Sequence, residues 1–398
     1  MIPSIENLNL AGKRVFIRVD FNVPIDGEQV VDDARIRASL PTIHHVLKSG
    51  GKVILSSHLG RPQGQVNPKY SLLPVASKLS EILEKEVLFP EDCIGNAARK
   101  LIGDMREGEI VLLENLRFHP GEEDNDPIFS EKLASFADVY INDAFGTLHR
   151  AHASTVGMVP LVPERAAGKL VEKEVQFLGK LVHAPEKPFM VVLGGSKVSD
   201  KLGVLENLLR HAQAFFIGGA MAYTFLKAKG VDVGSSLVED AKVHQAAKIL
   251  ERARVKDIGF FLPLDHVIAQ KLEKNAIFQT TTTAAIPSGW MGLDVGPKTL
   301  ELYEKELSRA KTILWNGPLG AFETAPFERG TVDLAKAIAK ISATTVVGGG
   351  DSLSAVRMAG VSEKISHLST GGGATLEFLE GKTLPGLKAL ETEVSSGS

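Results

Sequence analysis

TTVVGGGDSLSAVRMAG, residues 344–360, is answered a few residues later by HLSTGGGATLEFLEG, residues 367–381. Each stretch has the same grammar. In the first, the β-branched run 344–347 meets Gly348, Gly349 and Gly350, after which 353–359 has helical spacing; Gly371, Gly372 and Gly373 hold the matching place in the second. A strand that ends in glycines where a helix begins leaves backbone N–H groups unpaired, and the helix dipole adds partial positive charge, so an anion such as phosphate is stabilised there. Two such turns predict a polyphosphate site. The alternative is a pair of tight strand-to-helix turns with Asp351 and Ser352 as N-cap residues. Leu353 stands where a third glycine of G-x-G-x-x-G belongs, and Leu376 fails the second stretch likewise. Leu376 also takes the first glycine position of a P-loop that would end Gly381-Lys382-Thr383. A dehydrogenase and a P-loop NTPase are thereby disfavoured.

Working outward, the same grammar recurs. Phe189–Leu193 leads into Gly194-Gly195-Ser196-Lys197-Val198-Ser199-Asp200-Lys201, Ala214–Ile217 into Gly218-Gly219, and 312–315 into Asn316-Gly317-Pro318-Leu319-Gly320-Ala321-Phe322-Glu323. Strands that end in glycine permit close backbone approach to a flat or phosphorylated ligand, so this half reads as the nucleotide side. A helix is expected from Ser196 to Arg210, which would put Lys197 and Lys201, four apart, on one face. Exposed helix lysines are ordinarily solvated; their place after a glycine turn points to phosphate.

The first half alternates short apolar strands (Arg14–Val19, Lys52–Ser56, 110–113, 139–142) with amphipathic stretches such as 34–47 and 72–83. Such alternation predicts a parallel sheet covered by helices on both faces, with ligands at the carboxyl ends of the strands. Those ends carry the chemistry: Asp20-Phe21-Asn22, His58-Leu59-Gly60-Arg61, Arg117 after 110–113, and His149, Arg150 and His152 after the last strand, with Arg35 opening a helix. Arginine's planar fork suits phosphate and carboxylate, so Arg35, Arg61, Arg117 and Arg150 are expected to converge on a small, multiply charged anion. His58, His149 and His152 are read as hydrogen-bond donors to that anion or as orienting groups, and the His44-His45 pair as structural. Asp20 is open to two roles, contact with a ligand hydroxyl or orientation of an arginine.

At 398 residues the chain predicts about two or three domains. A net charge of -3 creates no global field for nucleic acid or an anionic membrane. Cys93 is the only cysteine, which excludes an internal disulfide and a structural zinc site built on several cysteines. The start, MIPSIENLNLAGKRVFIRVD, has no secretory pattern, and no apolar run approaches membrane-spanning length, so a cytoplasmic enzyme is expected. Residues 1–165 and 186–382 are expected as two doubly wound, Rossmann-like domains. Residues 166–185, bounded by Pro163 and Pro185, read as a hinge helix, and 383–398 as a tail that packs back on the first domain and frays at its Ser-rich end.

RVDFNVP, SHLGRP, ENLRFHPGEE, HRAHASTVG, GGSKVSDK, WNGPLGAFE, GGGDS and STGGGATLE, in this order and over essentially the whole chain, resemble phosphoglycerate kinases. The resemblance implies two facing domains, the first for 3-phosphoglycerate or 1,3-bisphosphoglycerate and the second for ATP or ADP with Mg2+, in a cytoplasmic monomer. It assigns Asp20, Phe21, Asn22, Arg35, His58, Leu59, Gly60, Arg61, Arg117 and Arg150 to the glycerate substrate. Gly195, Lys197, Lys201, Gly219, Gly292, Asn316, Pro318, Glu323, Gly349, Gly350, Asp351 and Ser352 fall to the nucleotide, with Glu323 on the ribose and Asp351 near magnesium. Arg35, Lys197 and the amides of Gly371 and Gly372 would surround the phosphoryl group in transit. Two rivals remain at this point: a kinase for another acyl phosphate, such as that of acetate or carbamate, and a non-catalytic nucleotide-responsive protein on the same scaffold.

Overall fold

The structure is a computed structural model that describes residues 2–391; the Ser-rich end expected to fray, 392–398, lies outside the described residues. The chain divides into two compact units, with a boundary between Gln176 and Phe177 and a return to the first unit after Lys382.

The first unit is built on a six-stranded sheet in the spatial order Val87–Leu88, Ile110–Leu112, Lys52–Ser56, Arg14–Val19, Val139–Asp143, Glu164–Ala167, parallel throughout. Its central strands are apolar on both faces because helices cover both, the pattern of a buried parallel sheet. Ile36, Ile43 and Val46 of helix Ala34–Lys48 and Val75 and Leu79 of helix Leu73–Leu83 close its core with no exposure. Strand order reverses between Arg14–Val19 and Val139–Asp143, where the crevice for a ligand opens in a doubly wound fold. The returning helix Pro385–Leu390 packs on this unit against the turns 153–161 and the edge strand Glu164–Ala167, with the Gly386 amide on the Leu148 carbonyl.

The connecting helix is shorter than the sequence suggests. It spans Lys169–His183, and Glu164–Ala167 before it joins the sheet as an edge strand instead. Small Ala166 and Ala167 fit against Val139–Asp143, and the first free helix amides are met elsewhere: Lys169 N–H donates to Thr42 Oγ1 and Leu170 N–H to Asp143 Oδ1, each at 2.9 Å.

The second unit repeats the plan in the order Gly259–Phe261, Ala214–Ile217, Phe189–Leu193, Thr312–Asn316, Thr344–Gly348, His367–Ser369, again all parallel. Numbered along the chain this is 3-2-1-4-5-6, with the reversal between Phe189–Leu193 and Thr312–Asn316. A small antiparallel sheet, Phe278–Thr280, His266–Ala269 and Met291–Val295, flanks it. The helix expected from Ser196 begins only at Leu202 and ends at Leu208. Lys197 and Lys201 therefore share no helical face. The positive φ of Gly195 (109°) and the bonds from Ser199 N–H and Oγ to Glu239 hold 194–201 as a loop instead.

Candidate functional site

Within the first unit the cations converge at the strand reversal. The buried His58 ring lies in the field of Arg18, Arg117, Arg35 and Arg150. Arg18, 1% exposed and next to last in its strand, donates from Nε to Ser154 Oγ (2.8 Å) and from Nη2 to His58 Nδ1 (3.2 Å). A guanidinium only donates, so His58 Nδ1 must accept and Nε2 carries the proton. Burial first, then the arginines, push the His58 pKa well below its usual value. His58 is accordingly neutral, with its proton on Nε2.

Arg117, 3% exposed, donates to the Gly60 carbonyl at 2.9 Å and pairs with Glu123 at 3.3 Å. Arg35 Nη1 donates to Asp20 Oδ2 at 2.8 Å. Asn22 Oδ1 accepts from the Gly60 amide (3.0 Å), and Arg150 Nε lies 3.3 Å from His149 Nε2. Arg61 is exposed and stands outside the set of cations around His58. Phe21 is wholly buried in the core, and Leu59 nearly so, so their side chains serve packing. His152, buried beside Arg117, Arg18 and Arg150, is pushed down to about 4, chiefly by desolvation.

Sequence reasoning missed the groups behind this cluster. Glu122, fully buried, accepts from Ser154 N–H (3.0 Å) and Ser154 Oγ (2.6 Å), while Tyr140 Oη donates to the Ser154 carbonyl at 2.7 Å. Ser154 thus relays the carboxylate of Glu122 to Arg18. Burial raises the Glu122 pKa against the opposing pull of Arg18. One signal was available: an arginine inside an otherwise apolar central strand requires a buried partner.

In the second unit a groove opens at the other strand reversal. One part, about 240 Å³, is lined by Gly194 to Lys197, Asp200, Lys201, Asn316 to Pro318, Gly349 to Asp351 and Gly372. The next, about 300 Å³, shares Gly195, Ser196, Pro318 and Asp351 with it and continues over Gly219, Tyr223, Leu237, Leu272, Met291, Gly292 and Glu323. The first is a polar, amide-lined end; the second is a largely apolar slot. Backbone meets backbone between them, since a Cβ on Gly194 would sit 2.0 Å from the Pro318 carbonyl oxygen and one on Gly219 2.5 Å from the Gly195 nitrogen. Only glycine permits that approach.

Lys201 is buried and bonded to Asn316 Oδ1, and desolvation lowers its pKa to about 8. Asp351 is raised, first by burial and then by Glu323. Gly349 (φ 94°) caps the helix Gly350–Met358, so Asp351 and Ser352 fall inside its first turn and are not its caps. Ser352 is wholly buried and accepts from the Gly317 amide at 2.8 Å, a bond that shapes the turn from behind. Gly372 lines the polar end beside Lys197, whereas Gly371 is buried with its amide 3.4 Å from Ser369 Oγ.

The family described as phosphoglycerate kinase matches residues 5–382. The phosphoglycerate kinase of Anaeromyxobacter dehalogenans is 56% identical over 98% of this chain and 99% of its own length, and that of Acidobacterium capsulatum 53% identical over 97% and 98%. Phosphoglycerate kinase structures from Coxiella burnetii (41% identity, TM-score 0.89, 98% of this chain and 99% of that one) and Pyrococcus horikoshii (35%, 0.85, 98% of each) superpose along the chain. With two parallel sheets reversing at a guanidinium cluster and at a glycine-walled groove, and with identity of this order over nearly every residue, the chain belongs to the phosphoglycerate kinase family.

Proposed function

We propose that this chain catalyses the glycolytic, reversible transfer of the acyl phosphate of 1,3-bisphosphoglycerate to ADP, giving ATP and 3-phosphoglycerate. The observation that carries this reading is the convergence of Arg18, Arg35, Arg117 and Arg150 on His58, a density of positive charge that a small acid with phosphate and carboxylate groups would neutralise. In it, Asp20 orients Arg35, and Arg117 and Arg150 bind the phosphate and carboxylate oxygens, with His58 Nε2–H as a further donor. Asn22 and Gly60 shape the loop that covers the ligand, and Arg61 closes over it from the rim.

The groove of the second unit takes the nucleotide in this reading. Its apolar slot over Gly219 and Gly292 accepts the base, Glu323 the ribose, and the amides of Gly195, Gly349 and Gly350 with Lys201 the phosphates. Asp351, an exposed carboxylate at the amide-lined end with Glu323 and Lys201 acting on it, fits Mg2+, which typically uses one or two protein carboxylates and completes its shell with phosphates and water. Asp351 would hold the ion, which when bound neutralises phosphate charge and orients the transferring group. Asn316 holds the Lys201 ammonium in place, and Pro318 supplies the wall between the two parts of the groove.

Phosphoryl transfer asks for alignment and charge neutralisation more than for covalent help. In the ATP-consuming direction the attacking group is a carboxylate, ionised at neutral pH because its pKa is about 3.5, so no general base is needed. Arg35, Lys197 and the Gly371 and Gly372 amides neutralise the equatorial oxygens in transit. With acceptor and donor held by separate units, turnover includes a closure about the Lys169–His183 helix that excludes water. Among the described residues no helix is long and apolar enough to cross a membrane; a cytoplasmic monomer is part of the proposal, checked by light scattering at assay concentration. A coupled assay of ATP formation from ADP and 1,3-bisphosphoglycerate decides the function: turnover with acetyl or carbamoyl phosphate in its place, or none with either, overturns it.

A further inference from the structure

Among the described residues one group of three metal-ligating side chains converges: Asp92, Cys93 and His119, with a donor atom of each within 4.8 Å of the others. All three belong to the first unit. Asp92 and Cys93 lie in the loop between strand Val87–Leu88 and helix Asn96–Gly103, and His119 follows the helical turn Leu116–Phe118. The Asp92 carboxylate faces His119 Nε2 at 2.7 Å, accepts the Cys93 amide at 2.6 Å, and is a side-chain hydrogen-bond partner of the Cys93 thiol. Imidazole and thiol hydrogens thus share one carboxylate, an arrangement that a single divalent cation replaces by binding all three groups.

The spacing and the donors both select the ion. A tetrahedral Zn2+ with bonds of about 2.0–2.3 Å spaces its ligand atoms roughly 3.5 Å apart, so the Asp92–His119 pair at 2.7 Å opens by about 1 Å to admit the ion and the other separations, none above 4.8 Å, close by about 1 Å at most. Thiolate with imidazole and one carboxylate suits a borderline-soft cation, and is wrong for Mg2+, which takes oxygen. Access is also provided: the Asp92 and His119 side chains are 36% and 31% exposed, while Cys93 is buried beneath them as the floor of the site. We propose that Asp92, Cys93 and His119 bind one Zn2+-class cation. On binding, the thiol gives up its proton to solvent, and the imidazole ligates through Nε2 with its N–H on Nδ1.

The site has a consequence for its neighbours. His119 follows Arg117 by two residues, and the next turn, Pro120–Glu123, carries Glu123, the partner of Arg117, and Glu122, which holds Ser154. An ion at His119 ties this segment to the Asp92–Cys93 loop and stiffens the mounting of Arg117.

The probe is Co2+, whose thiolate complexes absorb in the near ultraviolet. Full-length, metal-free protein titrated with CoCl2, without nucleotide, is expected to develop a thiolate-to-cobalt charge-transfer band that saturates at one equivalent and is displaced by ZnCl2. Cys93→Ser removes the band, and Asp92→Asn and His119→Gln each weaken Co2+ binding at least tenfold, with circular dichroism reporting that each variant folds. ZnCl2 is expected to raise the Tm of the wild type and not that of the three variants. Absence of a charge-transfer band in the wild type overturns the proposal even if a variant fails to fold. So does Co2+ affinity unchanged in both His119→Gln and Asp92→Asn.

Discussion

Gly194→Ala tests whether the second unit's groove depends on backbone contact between its two central strand ends. The new Cβ would lie 2.0 Å from the Pro318 carbonyl oxygen, 2.7 Å from its carbon and 2.8 Å from the Gly317 oxygen. Backbone cannot rotate aside as a side chain does. Reaching even 3.0 Å, the limit that real Cβ contacts respect, needs a shift of about 1 Å. That shift opposes two bonds that clamp the same ends, Gly194 N–H to the Asn316 carbonyl (3.1 Å) and Gly195 N–H to that of Pro318 (3.0 Å). Overpacking of this kind costs about 1–3 kcal/mol, which in a unit of this size lowers Tm by roughly 2–4 °C per kcal/mol. It also moves Pro318 and Gly317 relative to Gly195 and Lys197, and a misplacement of about 1 Å costs on the order of 100-fold in rate. Coupled assays are expected to show kcat/KM for ATP reduced by about that factor, with KM for 3-phosphoglycerate unchanged. Gly179→Ala is the control: no atom lies within 4 Å of its added Cβ, in the helix Lys169–His183, and the substitution stabilises by about 0.5–1 kcal/mol. Wild-type Tm together with wild-type nucleotide affinity in Gly194→Ala refutes the reasoning.

Three further outcomes follow from the site. Arg35→Ala is expected to lower kcat on the order of 100-fold, more than it raises KM, because its contact matters most as charge moves in the transition state; unchanged turnover removes Arg35 from that role. Lys201, held down to about 8 by burial, is part-neutral at pH 8 and regains its proton when phosphates arrive beside it. Nucleotide binding at pH 8 should therefore take up protons, seen by calorimetry in buffers of different ionisation enthalpy, and above that pH affinity should fall; Lys201→Met abolishes the uptake. Glu122→Ala strips Ser154 of its acceptor and opens a cavity behind Arg18, at a cost of about 2–5 kcal/mol read by denaturant unfolding.

The alternation of strand and helix was legible because the central strands are short apolar runs ending in glycine or in charged loops, and Arg14–Val19, Lys52–Ser56, Phe189–Leu193 and Ala214–Ile217 lie where the sequence places them. Glu164–Ala167 was not, because Glu-Arg-Ala-Ala has no β signature and becomes a strand only through its edge partner. The start of the helix after Gly195 was misplaced for a similar reason. Its loop is held by Glu239, forty residues downstream. Arg35, Arg117 and Arg150 were legible as cations after strand ends, whereas Arg18 was hidden by lying within a strand, and Glu122 and Ser154 make sense only once a contact 136 residues long joins Arg18 to Ser154.

The two proposed anion sites lie at the reversals of two differently ordered parallel sheets and use different donors, and the contrast has a thermodynamic side. In the groove, the charge of the proposed nucleotide would be met by amides whose dipoles are fixed by the fold, so an empty site costs little. The first unit instead buries guanidinium groups with few anions near: Asp20 at Arg35, Glu123 at Arg117, and Glu122 acting on Arg18 through Ser154. The depressed pKa values of His58, His152 and Arg117 all reflect burial together with this uncompensated positive field. For the two histidines the sign is definite. The unfolded chain binds protons below about pH 6.5 that the folded chain refuses, so stability falls as pH drops through that value, for His152 until about 4. A bound polyanion supplies the missing negative charge, raises these pKa values and relieves the strain. Ligand stabilisation of the first unit should consequently grow as pH falls from 7 toward 5. That dependence, followed as Tm with and without 3-phosphoglycerate, separates a preorganised cationic site from arginines that gather only around the ligand, for which the increment would stay flat.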